Sequence, residues 1–272
     1  MKRLREEAEV ALAAAREAAA VILRVYADPF EVEWKAKDDP VTVADKEANA
    51  LLCDRLGRAF PGVPLVAEES DPAAYADFGA AERAWFIDPL DGTREFVARN
   101  GEFAVMVGLA EGGRATVGVI VAPAWGRAFV GVVGEGAWEV GPDGAPREIH
   151  VSARQELAGA SFVVSRSRAP EKLAAFIAGV GGKPMAHGSS GLKGALVATG
   201  EADVYLQPGR AGMRWDACAT DALVRAAGGT LTETAGADLD YRNGEIGNLR
   251  GMIAANGRLH RAVIDAMKTR NG

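Results

Sequence analysis

Trp85-Phe86-Ile87-Asp88-Pro89-Leu90-Asp91-Gly92-Thr93-Arg94-Glu95-Phe96 is the stretch from which the rest of this chain can be read. An apolar run of strand character delivers two carboxylates three residues apart, and a Gly-Thr step then opens a helix. Pro89 locks its own φ and so fixes the direction of the turn. Asp88 and Asp91 can converge there, with the Leu90 carbonyl as a third oxygen between them. Gly92 permits close backbone approach, and the N–H groups of Gly92 and Thr93 can meet a phosphate at the helix start. The alternative, a plain strand-to-helix turn with Asp as N-cap, needs one carboxylate rather than two.

Working outward, three further acidic positions sit at the ends of predicted elements. Glu68-Glu69 follows the short apolar run Pro64-Leu65-Val66-Ala67, Asp45 follows Val41-Thr42-Val43-Ala44, and Asp216 follows Trp215 at a helix start. Each has a local alternative, a solvated acidic loop for the first and a helix cap for the others. Gathered carboxylates cost free energy, however, and a hard divalent cation gives them a reason. The joint set of Glu68, Asp88, the Leu90 carbonyl, Asp91 and Asp216 is all oxygen, which selects Mg²⁺ or Mn²⁺ over Zn²⁺. His150, His187 and His260 are scattered and have no ligand spacing. Two ions sharing carboxylates can polarise a phosphoryl oxygen, lower the pKa of a water and stabilise a leaving alkoxide. Thr93 would orient that water, with Asp45 accepting a hydrogen bond from Thr93.

Bulk properties narrow the partners. The 272 residues suffice for one large α/β unit or two intimately packed halves. A net charge of −6 leaves no basic footprint for a nucleic-acid polymer, while a phosphorylated small molecule stays open because bound metal inverts the local field. Cys53 and Cys218 are far apart, which fits a reducing cytoplasm and argues against a disulfide scaffold or a thiolate metal site. Charged residues interrupt the apolar positions after Met1-Lys2-Arg3, so no signal peptide forms. No run approaches the ~18 apolar residues of a membrane span.

Periodicity predicts a first helix with Leu4, Ala8, Ala11, Ala15, Ala18, Ile22 and Val25 on one face. A helix follows over about 46–60, stopped by Pro61-Gly62. Strands are expected at 63–67, 84–87, 103–110, 116–122, 128–133 and 137–140, with glycine turns at 112–113 and 134–136. After residue 152 the rhythm becomes β/α: strands at 161–165, 202–206 and 252–255, helices at 170–179, 192–199, 215–227 and from 257. The expected division is residues 1–152, a mostly antiparallel α+β half with most metal ligands, and 153–272, an α/β half with Asp216 and the substrate segment.

Together these segments resemble the inositol monophosphatase-like family of Mg²⁺-dependent, lithium-sensitive phosphatases. The resemblance rests on Pro40-x-Thr42-x-x-Asp45, Ala67-Glu68-Glu69-Ser70, Asp88-Pro89-Leu90-Asp91-Gly92-Thr93 and Trp215-Asp216, and covers nearly the whole chain. It implies a five-layer αβαβα sandwich and two or three Mg²⁺ per site, with Mn²⁺ a possible substitute. By that resemblance Glu68, Asp88, Leu90, Asp91 and Asp216 bind metal. Thr93 and Asp45 activate the water, and Glu69 supports a further metal or its waters. Gly92 and Thr93 amides hold the phosphate, and Ser190 and Lys193 face the substrate. Thr93-Arg94-Glu95-Phe96 with Arg99-Asn100-Gly101-Glu102-Phe103 is similar to the 3′(2′),5′-bisphosphate nucleotidase branch, which implies adenosine 3′,5′-bisphosphate as substrate, with Lys193 neutralising the second phosphate. Inositol or sugar monophosphates are the alternative, and a non-catalytic phosphate- or metal-binding relative is the reading from another class. Cys218 and Thr220 depart from the alanine and glycine common there. Family members include monomers and homodimers.

Overall fold

Period-two alternation in the strands sorts the side chains into three separate cores. The computed structural model describes residues 2–36, 39–167 and 171–271. The chain runs α1 (Lys2–Ala27), β1 (Val32–Ala36), β2 (Asp39–Thr42), α2 (Val43–Ala59), β3 (Leu65–Ala67), β4 (Arg83–Asp91), α3 (Thr93–Val97), β5 (Ala104–Glu111) and β6 (Arg114–Ala122). It continues through β7 (Arg127–Val132), β8 (Gly136–Val140), β9 (Pro146–Glu148), β10 (Ser161–Ser165), α4 (Glu171–Gly179), β11 (Lys183–His187) and α5 (Ser190–Ala198). It ends with β12 (Val204–Gln207), α6 (Trp215–Ala226), β13 (Gly229–Thr232), β14 (Met252–Asn256) and α7 (Gly257–Asn271). A seven-stranded sheet takes the order β3-β4-β5-β6-β7-β8-β9, and a five-stranded sheet the order β11-β10-β12-β14-β13.

On β5, Val105, Val107 and Leu109 face α1 and α2, while Ala104, Met106 and Ala110 face the opposite core with α5 and α6. Beyond that central layer, Val163 and Tyr205 turn inward, and Phe162, Val164, Val204 and Leu206 meet α4 and α7. The layers therefore run α1/α2, seven strands, α5/α6, five strands, α4/α7, the expected αβαβα sandwich. In the first sheet β3 and β4 are parallel and the remaining pairs antiparallel. In the second, β10 is parallel to both β11 and β12, while β14 runs antiparallel to β12 and β13. The β/α rhythm thus holds for three strands of five. Among the described residues no helix is long and apolar enough to cross a membrane.

The position of α6 is set by three glycines. Gly108, Gly118 and Gly131 stand opposite one another across β5, β6 and β7. A Cβ on any of them would collide with backbone atoms of Ala219 or Leu223 on α6. The glycines form a trough in which the helix backbone rests directly on the sheet.

Several boundaries differ from the sequence reading. α2 begins at Val43 rather than near residue 46, because Thr42 is the N-cap and Asp45 closes a capping box from the N3 position. β4 does not stop at Ile87 but continues through Asp91. Strands β1, β9, β11 and β13 are additions; Lys183–His187 and Pro146–Glu148 are short edges with mostly exposed side chains, so they carry little apolar signal. The predicted helix start at Pro170 lies outside the described residues.

Candidate active site

Residues three apart in a regular strand point to opposite faces, so Asp88 and Asp91 would diverge if β4 were regular. The ladder with β5 shifts register between them: Asp88 stands opposite Met106 and Asp91 opposite Ala104. Three steps on β4 match two on β5, and this extra residue turns both carboxylates toward the central layer. There α6 supplies Asp216 from its first turn. Oxygens of Asp88, Asp91 and Asp216 all lie within 4.8 Å of one another.

Each carboxylate is held differently. Asp91 Oδ2 accepts from the Gly191 N–H at 2.7 Å, from the Ser189 hydroxyl and from the Ser190 hydroxyl at 3.2 Å, so it sits against the N-terminus of α5. Ser189, the N-cap, carries φ 54°, a region sparsely open to residues with a Cβ, so local strain is stored beside the cluster. Asp216 Oδ2 accepts from the Met213 N–H at 2.6 Å. Asp88 is buried and accepts from the Leu90 N–H at 3.0 Å. Burial, then Glu68, Asp91 and Asp216, push its carboxyl well above the ordinary range. A buried all-oxygen set with a strained charge balance is the environment a hard divalent cation relieves.

Around this triangle stand the residues assigned to water and to further ions. Asp45 Oδ2 accepts from the N–H and the hydroxyl of Thr42, both at 2.7 Å, and its Oδ1 lies 2.9 Å from the Thr93 hydroxyl. Burial raises the Asp45 carboxyl against the pull of those donors. Thr93 Oγ1 is also 3.1 Å from the Leu90 carbonyl, so Asp45, Thr93 and Leu90 form one connected group. Gly92, with φ 95°, precedes α3; a Cβ there would press on the Glu102 carbonyl. Glu68 and Glu69 are bridged by Lys35 Nζ at 3.0 and 2.7 Å, with Glu68 close enough to act on Asp88 though outside the 4.8 Å group. Burial moves Glu68 up to about 7, against the pull of Lys35. Although its own burial opposes it, Lys35 is raised by Glu68 and Glu69. A cleft of about 690 Å³ is lined by Glu68, the segment from Leu90 to Glu95, and the Asp88–Asp91–Asp216 cluster.

A model of the inositol monophosphatase family matches residues 3–270. The chain belongs to that family. By class it is a phosphoric monoester hydrolase. Over 230 residues it is 36% identical to the 3′(2′),5′-bisphosphate nucleotidase CysQ of Escherichia coli K12, covering 84% of this chain and 90% of that one. It is 31% identical to the Nus factor SuhB of Salmonella typhimurium, over 95% of this chain and 97% of the relative. The crystal structure of CysQ from Bacteroides thetaiotaomicron, 30% identical, superposes with a TM-score of 0.77 over 93% of this chain and 98% of that one.

The departures from the family pattern have a physical setting. Cys218 packs beside Gly108 in the trough, and Thr220 presses against Gly194 of α5, so both serve the close approach of α6 to its neighbours. Ser190 lines the cleft and its hydroxyl bridges Asp91 and the Asp216 carbonyl, the latter at 3.1 Å. Lys193 also lines the cleft but is buried, and its ammonium donates to the Ser189 carbonyl at 2.6 Å, below the Tyr205 ring. The sequence reading did not single out Lys35, took Ser189 and Gly191 only as part of the segment 188–193, and took Glu95 only as part of the motif after Thr93. Ser189 and Gly191 lie 98 and 100 positions from Asp91, so no local spacing announces them. Glu95 is buried beside Gly188, and burial pushes its carboxyl up.

Proposed function

We propose that the chain removes the 3′(2′)-phosphate of adenosine 3′(2′),5′-bisphosphate by attack of water, using divalent cations. The observation that carries the phosphatase chemistry is the convergence of Asp88, Asp91 and Asp216 in one cleft with Thr93, whose hydroxyl is held from behind by the buried Asp45. The 36% identity to enzymes named CysQ supports the nucleotide. The residues that would hold the ions are Glu68, Asp88, the Leu90 carbonyl, Asp91 and Asp216, with Glu69 supporting a third. Mg²⁺ or Mn²⁺ there supplies electrophilic stabilisation of the phosphoryl oxygens and the leaving alkoxide.

The protein's own groups do the rest. Thr93 donates its hydroxyl hydrogen to Asp45, which leaves the Thr93 oxygen lone pairs to accept a hydrogen from the attacking water and so fix its direction. Asp45 keeps the Thr93 rotor in place because two Thr42 donors immobilise it in turn. The Gly92 and Thr93 N–H groups are assigned to the phosphate oxygens, and Ser190 to the substrate flank. Cys53 and Cys218 are free thiols, which fits a reducing cytoplasm. Phosphate release from adenosine 3′,5′-bisphosphate, its 2′ isomer, inositol 1-phosphate and fructose 1,6-bisphosphate with Mg²⁺ tests the reading. Tenfold or faster turnover of inositol 1-phosphate would replace the nucleotide with the second reading, an inositol or sugar monophosphatase, which the family match favours.

A further inference from the structure

Beyond the acidic end, the cleft extends to the carboxyl edge of the parallel strands of the second sheet. Ser165 closes β10, Gln207 closes β12, and Arg210 follows in the next loop; all three line the cleft. In open sheets with parallel strands this edge is where ligands are met. Four cationic side chains line the cleft among the described residues: Lys35, Arg94, Lys193 and Arg210. Lys35 is engaged by Glu68 and Glu69, Lys193 donates to the Ser189 carbonyl, and Arg94 has partners of its own. Arg210 is exposed, and its one polar contact among the described residues is the soft sulfur of Met213, at 3.5 Å from Nη2.

A second observation lies beside it. Gln207 is 8% exposed, its side chain borders the cleft, and its carboxamide makes no hydrogen bond within the described residues. The side chain is thus largely enclosed while its carboxamide opens onto the cleft with its hydrogen-bonding capacity free for whatever enters. The loop is also fixed. The Ala211 N–H donates to the Asn248 carbonyl at 2.8 Å and Asn248 Nδ2 donates to the Ala211 carbonyl at 3.2 Å, so the residue after Arg210 is clamped on both sides.

We propose that Arg210 and Gln207 form the pocket for a second phosphate: the guanidinium takes that group, and the Gln207 carboxamide hydrogen-bonds the scaffold joining it to the phosphate being cleaved. This rests on the phosphatase reading above and moves the discriminating cation from Lys193 to Arg210. A planar guanidinium binds a phosphate through two parallel hydrogen bonds, which lysine cannot reproduce.

The test compares kcat/KM for adenosine 3′,5′-bisphosphate and adenosine 3′-monophosphate, with Mg²⁺, in the wild type, Arg210→Ala, Arg210→Lys and Gln207→Ala. The bisphosphate-to-monophosphate ratio should fall about 20-fold or more in Arg210→Ala, chiefly through KM, with Arg210→Lys and Gln207→Ala in between. An unchanged ratio overturns the proposal. If only inositol phosphates are turned over, inositol 1,4-bisphosphate against inositol 1-phosphate gives the corresponding ratio, and the same fall is expected of it. If the wild type releases phosphate from none of these, the phosphatase reading has failed instead. Calorimetric titration of adenosine 3′,5′-bisphosphate with Ca²⁺ present then reads the pocket: tenfold weaker binding by Arg210→Ala sustains it, and equal binding overturns it.

Discussion

Asp91 is tied to the start of α5 by Ser189, Ser190 and Gly191, so its position does not depend on an ion. An asparagine there keeps an acceptor for the Gly191 N–H and removes one of three crowded charges. Asp91→Asn should therefore cost a factor of about 10³ or more in phosphate release while leaving the melting temperature in chelator equal or a few degrees higher. Surviving activity would end the case for a metal-bridging carboxylate. Thr93 offers a sharper cut. Thr93→Val should lower kcat by about 10²–10⁴ with the Mg²⁺ binding isotherm intact, and Thr93→Ser should restore most of the rate. Asp88 and Asp91 were legible because a short local motif carries them. The register shift that aims them was not, since it is a property of pairing with Met106 and Ala104. Lys193 was legible as a cation but not as a buried one, because its helix is enclosed only once both sheets are in place.

At the scale of elements, the glycine trough tolerates no added side chain. Gly118→Ala should destabilise by about 3 kcal/mol, because the clashing atoms are backbone and cannot rotate away. Gly257→Ala, with nothing within 4 Å of the added carbon, should stay within about 0.5 kcal/mol in the same urea titration. α6 also carries Asp221, buried, bonded by Arg225 Nε at 2.6 Å and by the Tyr241 hydroxyl at 3.2 Å. Burial outweighs those partners and pushes Asp221 up to about 6. The folded state thus holds this proton more tightly than the unfolded chain. Its contribution to stability is full below about pH 4 and is lost as pH rises through about 6. The stability difference between wild type and Asp221→Asn should accordingly shift against the wild type by on the order of 3 kcal/mol between pH 4 and 7.5. A pH-independent difference would mean that Arg225 holds the carboxylate ionised throughout. The long helices and the central strands were readable from periodicity. The edge strands β11 and β13 were not, because what makes them strands is a neighbour to pair with rather than an apolar pattern.

For the whole molecule, the central layer belongs to both sheets at once. Phe86, Met106, Ile120 and Phe129 of the first sheet share one core with α5, α6 and the inward side chains of the second. A fragment ending at residue 152 would leave that face bare. It should bind a hydrophobic dye and unfold without a cooperative transition, while the intact chain shows coincident transitions by fluorescence and circular dichroism. A fragment that melts sharply on its own would refute the shared core. By seating α6 on β5, β6 and β7, the glycine trough makes Asp216 mechanically a part of the first sheet, although the chain reaches it only after laying down β10, β11 and β12 of the second. The carboxylates that would run the reaction are thereby seated on the first sheet, and the residues that would choose the substrate stand at the rim of the second. With that division, point substitutions at the ends of β10 and β12 would alter which substrate is accepted while leaving the carboxylates where they are.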